Sequence, residues 1–418
     1  MTILYFILIL GTTVFVHELG HFMFAKRYGV HVYEFSLGMG PKLFKFNRKN
    51  DETDYCIRLF PIGGFVQMAG EEVEVDEDIP EEKRLTSKPA FQRFMIMIAG
   101  VMMNFITAII LLFLIGLFNT VSLNNVYVDG SSIEGLKDND KIVAINGNFV
   151  NNYDKLALEM TIAGNEEFTM TVKNNEGKEY DVKVNPIEVG DDYLPYGKDY
   201  GFSLSNLTIS SSSIEGLNKG DTIIKVDEVE VKNYDTLLSY INQNDKFELI
   251  VKNKNDETNK ITISAKEKEE DTSLGISYGF YLKGDEEKGF IAAIKYAFYK
   301  FFSTIEQMIF TVVYLITGKI SLNMMSGPVG IFNIVDSVSS TGFVNVISLL
   351  CLICINVGFI NILPFPAFDG GHVVFILIEK IKGSKVDPKI ENIIHSVGFI
   401  LLMILMVLIT YNDIARLF

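Results

Sequence analysis

Residues 3–28 read ILYFILILGTTVFVHELGHFMFAKRY. No charge interrupts the run before Glu18, and as a helix the stretch is long enough to cross a ~30 Å hydrocarbon core. Inside it stands His17-Glu18-Leu19-Gly20-His21, an H-E-x-x-H. Residues four apart share a helix face, so the two imidazoles can bind one zinc ion while the intervening carboxylate reaches water on the metal. Ionisable groups are costly in an apolar helix, and where they occur they face a protein interior and serve function. A polar cluster that only packs helices is the plainer reading, and the motif's spacing argues against it. Without a basic leader or a small-residue cleavage site, the segment is expected to be a retained helix and not a cleaved signal peptide.

The surrounding chain of 418 residues is 48% hydrophobic and 21% charged, with mean hydropathy +0.25. Apolar and polar material must therefore be segregated. Apolar runs at 1–16, 94–118, 343–368 and 393–411 predict four spans, the first helix over Ile3–Tyr28 and the second over Arg93–Phe118. The net charge is −15, and residues 119–290 hold 18 Lys, no Arg and 32 acidic residues. That block reads as solvated protein repelled by nucleic acid and anionic lipid, which argues against a nucleic-acid role. Ten Lys or Arg lie in 26–92, among them Lys26, Arg27 and Lys88, and the 379–392 connection carries Lys380, Lys382, Lys385 and Lys389. Positive-inside bias makes both connections cytoplasmic, with the N-terminus, the C-terminus and the acidic block outside. Of three cysteines, Cys56, Cys351 and Cys354, none falls in the acidic block, so no disulfide framework is implied. Cys351 and Cys354 form a C-x-x-C in the middle of an apolar run and read as small buried thiols on a membrane helix.

The acidic block repeats itself. Ser132–Leu156 (SIEGLKDNDKIVAINGNFVNNYDKL) and Ser213–Leu237 (SIEGLNKGDTIIKVDEVEVKNYDTL) agree at 12 of 25 positions with a constant offset of 81, and a YGFxL string follows each copy. A period near 80 fits two small globular domains in tandem. Each copy reads as a turn needing positive φ at Gly or Asn, a β-rich run, then a short helix from Asn-Tyr-Asp. The G-L-x-x-x-D-x-I turn resembles that of PDZ domains. Between the first two spans, Tyr55–Gly70 (YCIRLFPIGGFVQMAG) is apolar but broken by Pro61, Gly63 and Gly64, predicting short strands joined by a Gly turn. Such an element can dip into a bilayer where neighbouring protein satisfies its backbone. The expected fold is thus an α-helical multi-pass membrane protein of four spans with a re-entrant β element and two tandem PDZ-like α+β domains. Its expected parts are a membrane half at 1–118, PDZ-like domains at 121–204 and 205–283, an amphipathic connector at 286–342 and a second membrane half at 343–418. In the connector, Phe290–Ile316 carries Lys295, Lys300 and Glu306, and so reads as a helix along the interface or packed on the bundle.

Zinc needs a third protein ligand besides two His. The segment from Asn361 to His372 (NILPFPAFDGGH) supplies a carboxylate in a helix broken by Pro364 and Pro366, at a depth matching His17, toward the cytoplasmic leaflet. H-E-L-G-H in the first span, N-x-x-P-x-P-x-x-D-G-G-H in the third, a GGF hairpin and tandem PDZ-like domains together resemble the site-2 protease family, in its bacterial regulator of sigma-E protease branch. The resemblance implies one zinc ion held by His17, His21 and Asp369, with Glu18 as catalytic base and Asn361 against the substrate backbone. Asn104, in A-G-V-M-M-N-F, resembles the family's G-P-x-x-N string with Val101 in place of Pro, which implies a substrate-binding role for it. Phe368 stands where the family usually has Leu. Ser326–Ile331 resembles a further family string without a chemical role. The strands around Gly63, Gly64 and Phe65 are expected to pair with an unwound substrate. The function so implied is intramembrane hydrolysis of single-pass proteins already shortened by another protease, such as anti-sigma factors or signal-peptide remnants, in a bacterial membrane. The PDZ-like pair is expected to act as a size filter. A membrane-tethered PDZ scaffold without catalysis is the alternative, separated by zinc stoichiometry. A transporter is disfavoured because the spans do not repeat among themselves. His372 is read as capping the following helix, or as a partner of Asp369; His31 and His395 are read as incidental.

Overall fold

The H-E-x-x-H run forms a single helix, α1 (Thr2–Arg27), which ends where Gly29 adopts φ +66° and where Lys26 and Arg27 face the negative end of the helix dipole. The computed structural model describes residues 2–49, 51–71, 78–189, 194–195, 198–200, 202–254, 256–267, 275–318, 327–339 and 341–415. Ser326, and the domain bounds at residues 1 and 418, fall outside the described residues. Two compact units emerge, Met1–Val121 with Glu287–Phe418, and Ser122–Glu286.

After α1 come β1 (Val32–Asn47) and β2 (Asp54–Met68), an antiparallel pair. The short strands expected inside 55–70 are the two halves of β2, Asp54–Ile57 and Gly64–Met68, which flank the first half of β1, a partner the sequence reading did not mark. Between these two halves the chain reverses, with Gly63 at φ +86° in the turn. The partner was hidden because the buried face of β1 carries Glu34 and Ser36, which break the apolar alternation. Arg58 accounts for them, bonding Glu34 at 2.6 Å and Ser36 at 2.9 Å, while Lys42 takes the other Glu34 oxygen at 2.6 Å. Burial alone would raise the Glu34 carboxyl, but these bonds override it and hold it below the usual carboxylate range. Both strands fold back, so Ser36 opposes Phe65 on one side and Cys56 on the other. Helix α2 (Ala90–Phe118) starts after Pro89 and crosses α1 closely. A Cβ on Gly20 would overlap the Ala99 carbonyl, so only glycine allows the crossing.

Among its described residues the Ser122–Glu286 unit holds two six-stranded sheets, each with one helix, α3 (Tyr153–Ala163) and α4 (Tyr234–Ile241). The repeat recurs atom by atom. Asp140 Oδ2 accepts from Lys137 N–H and Asp221 Oδ2 from Asn218 N–H, both at 2.8 Å. Asn152 caps α3 through Lys155 N–H and Asn233 caps α4 through Thr236 N–H. Asn139 and Gly220 occupy matching positive-φ positions at 67° and 94°. The sheets depart from a simple tandem order. Phe280–Glu287 pairs with Val121–Ser131 and so completes the sheet of the first copy, while Phe202–Ser205 heads that of the second. The YGFxL string after each copy therefore leads into a strand of the other copy's sheet.

In the other unit, α5 (Phe290–Ile316) packs on α2 and α7 (Phe343–Ile362), burying Ala292, Ala293, Ala297 and Phe301 and exposing Phe290, Ile294, Phe298 and Phe302. Helix α6 (Pro328–Ser339) is capped from afar, since Gly327 and Gly330 N–H groups donate to Asp413 Oδ2 at 2.9 and 2.8 Å. Helix α7 is shorter than the 343–368 apolar run because Leu363 turns extended ahead of Pro364. Two further helices, α8 (Asp369–Lys382) and α9 (Pro388–Ala415), follow. Among the described residues, α1, α2, α7 and the Lys389–Ala415 part of α9 are the four helices long and apolar enough to cross a membrane.

Asp140→Ala leaves both the Lys137 N–H and the Tyr180 hydroxyl without their carboxylate acceptor, at a turn whose Lys137–Asn139 residues are exposed. Loss of about 1–3 kcal/mol is expected in the first sheet, read as faster amide exchange across Lys141–Ile145 while Thr222–Val226 is unchanged.

Candidate metal centre

His17 and His21 lie one turn apart on the same face of α1, both buried. Asp369 is brought to them by the break after α7 and stands at the first residue of α8. Asp369 Oδ2 is 3.2 Å from His17 Nε2 and 3.4 Å from His21 Nε2, and the two Nε2 atoms are 3.1 Å apart. Tetrahedral zinc with bonds of ~2.0–2.1 Å separates its ligand atoms by about 3.3 Å, so the triangle has the size of a zinc face.

The protonation pattern supports the same conclusion. His21 Nδ1 lies 2.9 Å from the Ile96 carbonyl, which can only accept, so the ring proton is on Nδ1 and Nε2 keeps its lone pair. On His17, Nδ1 is 3.5 Å from the Asn104 amide nitrogen, while the buried Asn104 Oδ1 has no partner. Turning the amide over would satisfy both groups and leave His17 with the same tautomer. Three lone-pair atoms would then face one another, with Asp369 Oδ2 lacking any donor. Such an arrangement is repulsive until a cation sits between them. The ring planes of His17 and His21 meet at 76°, so one ion can lie in both.

A second cluster, His372, Glu391 and His395, also gathers possible donors. Its rings are stacked at 3.9 Å and only 14° apart, so no single ion can lie in both planes as they stand. His372 Nδ1 meets Glu391 Oε1 at 3.2 Å, and His395 Nδ1 accepts from Ala367 N–H at 3.1 Å. His372 therefore neither caps a helix nor touches Asp369 through these bonds, and His395 is not incidental.

Glu18 is half-buried on α1 and lies beside β2. Gly64 lies against α1 so closely that a Cβ would stand 3.2 Å from Val14 and 3.4 Å from Glu18 Cγ. Phe65 carries the Arg58 guanidinium over its ring at 5.0 Å. Asn104 touches His17 and not open space. Asn361 is half-buried in the last turn of α7, and its side chain makes no hydrogen bond among the described residues. Sequence reading missed Gly100. A Cβ there would overlap His21 Nε2 and stand 2.8 Å from His17 Cε1, so α2 can pass the two imidazoles only with a bare backbone. The signal was present in A-G-V-M-M-N, where a glycine precedes Asn104 by four residues on one helix face.

A family model for peptidase family M50 matches residues 5–405. The regulator of sigma-W protease RasP of Bacillus subtilis is 31% identical over all of this chain and 99% of its own length. The zinc metalloproteases RasP of Oceanobacillus iheyensis and Shouchella clausii are 30% and 29% identical over the same shares. With its four apolar helices and a zinc-sized donor triangle, this chain belongs to peptidase family M50, the site-2 proteases. It is a membrane-embedded zinc metalloprotease.

Gly100→Ala should abolish zinc retention and proteolysis together, because the added methyl occupies the imidazole's place. Metal analysis of the purified variant checks this; normal zinc content would show that α2 can retreat.

Proposed function

We propose that His17, His21 and Asp369 hold one zinc ion per chain and that Glu18 is the general base of peptide hydrolysis. The observation that carries this reading is the triangle of lone-pair atoms 3.1–3.4 Å apart, with no donor for the carboxylate oxygen. The bound ion supplies Lewis-acid polarisation of the scissile carbonyl and makes water more acidic. Glu18 takes the proton of the attacking water at a carboxylate oxygen and returns it to the leaving amide nitrogen. Gly64 on β2, packed against the Glu18 side chain, confines the carboxylate beside the ligands. Asn104, assigned to substrate by resemblance, is better read as orienting His17, whose Nδ1 it contacts.

A transmembrane substrate has no free backbone groups until it unwinds. The bend at Gly63-Gly64-Phe65 presents β2 backbone beside Glu18, suited to pairing with an extended strand, and Asn361 would take a freed backbone group. The substrates are single-pass membrane proteins shortened by an earlier cleavage. The sigma-W regulator name of the Bacillus relative points to anti-sigma factors, and signal-peptide remnants share the same short-headed form. The basic 26–92 and 379–392 connections favour a cytoplasmic side for both, with the termini and the Ser122–Glu286 unit outside and the metal centre toward the cytoplasmic leaflet. Within that unit we read two PDZ-like modules, the first completed by Phe280–Glu287.

Glu18→Gln should lower cleavage of a short-headed model substrate by on the order of 10²-fold or more and leave zinc bound. Asp369→Ala should lose both zinc and activity. Retained activity in the first variant sinks the base assignment, and full zinc in the second sinks the ligand assignment.

A further inference from the structure

We infer that His395, on α9, is a positioning residue that holds the loop presenting Asp369 in a strained backbone conformation; this rests on Asp369 being a metal ligand. The loop from Leu363 to Phe368 carries Ala367 at φ +86°, where a Cβ is unfavourable. Such a conformation persists only when its surroundings impose it. His395 Nδ1 accepts from the Ala367 N–H at 3.1 Å, two residues before Asp369. Because Nδ1 accepts, the ring proton is on Nε2, and the ring is fixed in one tautomer.

The rest of α9 and α8 closes around the same loop. Gly398, one turn beyond His395, lets Pro366 approach so closely that a Cβ would be 2.5 Å from its Cβ and carbonyl oxygen. Gly371, on α8, leaves room for both Phe365 O and the His395 ring, which a Cβ would meet at 2.7 and 3.1 Å. His372 stacks flat on His395, and Glu391, one turn before His395 on α9, bonds His372 Nδ1. The stack fixes the plane of the His395 ring, and the plane aims Nδ1 at Ala367. A helix that contributes no metal ligand thus sets where the third ligand stands.

The test compares His395→Asn with His395→Gln. The Asn carbonyl oxygen falls at the place of Nδ1 and keeps the acceptor; the Gln amide reaches one carbon further and does not. Zinc retention against a graded chelator is measured in the Glu18→Gln background, so that the readout is independent of turnover. H395Q should release zinc about tenfold more readily, the worth of one hydrogen bond to a strained loop, while H395N stays near the parent. Adding Ala367→Gly, which adopts positive φ without strain, should recover part of the H395Q loss. With Glu18 restored, H395Q should lower kcat at little-changed KM. Equal zinc loss in H395N and H395Q, or none in H395Q, overturns the inference. Asp369→Ala is run alongside. If it keeps its zinc, the ligand reading fails instead, and the two failures are distinguishable.

Discussion

Three lone pairs aimed at one point in a nearly dry interior are the constraint on which this half of the molecule depends. Without a cation they repel, and no donor nearby relieves Asp369 Oδ2. Bringing them together makes demands on three separate helices. Helix α1 must keep both imidazoles on one face. Helix α2 must pass them with no side chain at Gly100 yet offer the Ile96 carbonyl to His21 and the Asn104 amide to His17. Helix α7 must stop early enough for the chain to turn and deliver Asp369. Each demand is met by a residue with no charge to advertise it.

Much of this was legible in the sequence where the chemistry is local. H-E-x-x-H on an apolar helix fixes its own geometry by the helical period, and the Pro364–Pro366 break accounts for a carboxylate emerging at depth. The repeat, its positive-φ turn and the helix start at Asn-Tyr-Asp were legible, because a turn or a capping asparagine acts within three or four residues; the turn-closing bonds of Asp140 and Asp221 came only with the structure. What escaped depends on approach between distant segments. Gly100 looks like any glycine in a membrane helix until the imidazoles are set beside it. β1 hid behind Glu34 and Ser36, whose burial makes sense only once Arg58 is opposite. His395 had no neighbour in sequence to explain it, because its partner Ala367 lies on a loop 28 residues earlier.

The two histidine pairs also show how ring orientation separates roles that composition leaves mixed. His17 and His21 meet at 76° and converge on a point; His372 and His395 lie flat on one another and brace a loop. Both pairs are near carboxylates, and a count of possible ligands scores them alike. Lone pairs lie in the plane of the imidazole, so two rings stacked face to face cannot aim them at one ion, whereas two that meet at a steep angle can.

The return of Phe280–Glu287 to pair with Val121–Ser131 has a consequence for assembly. The stretch linking α2 to α5 is about 170 residues, and as a floppy loop its closure would cost about 3 kcal/mol more than a connection of half a dozen residues. Once the intervening sheets fold, their first and last strands lie side by side, about 4.8 Å apart. The entropic cost of joining the two helices is then that of a tight hairpin, whatever the size of the material in between. An inserted cassette with adjacent ends can grow, shrink or be exchanged over evolutionary time without loosening the helix pair that carries it.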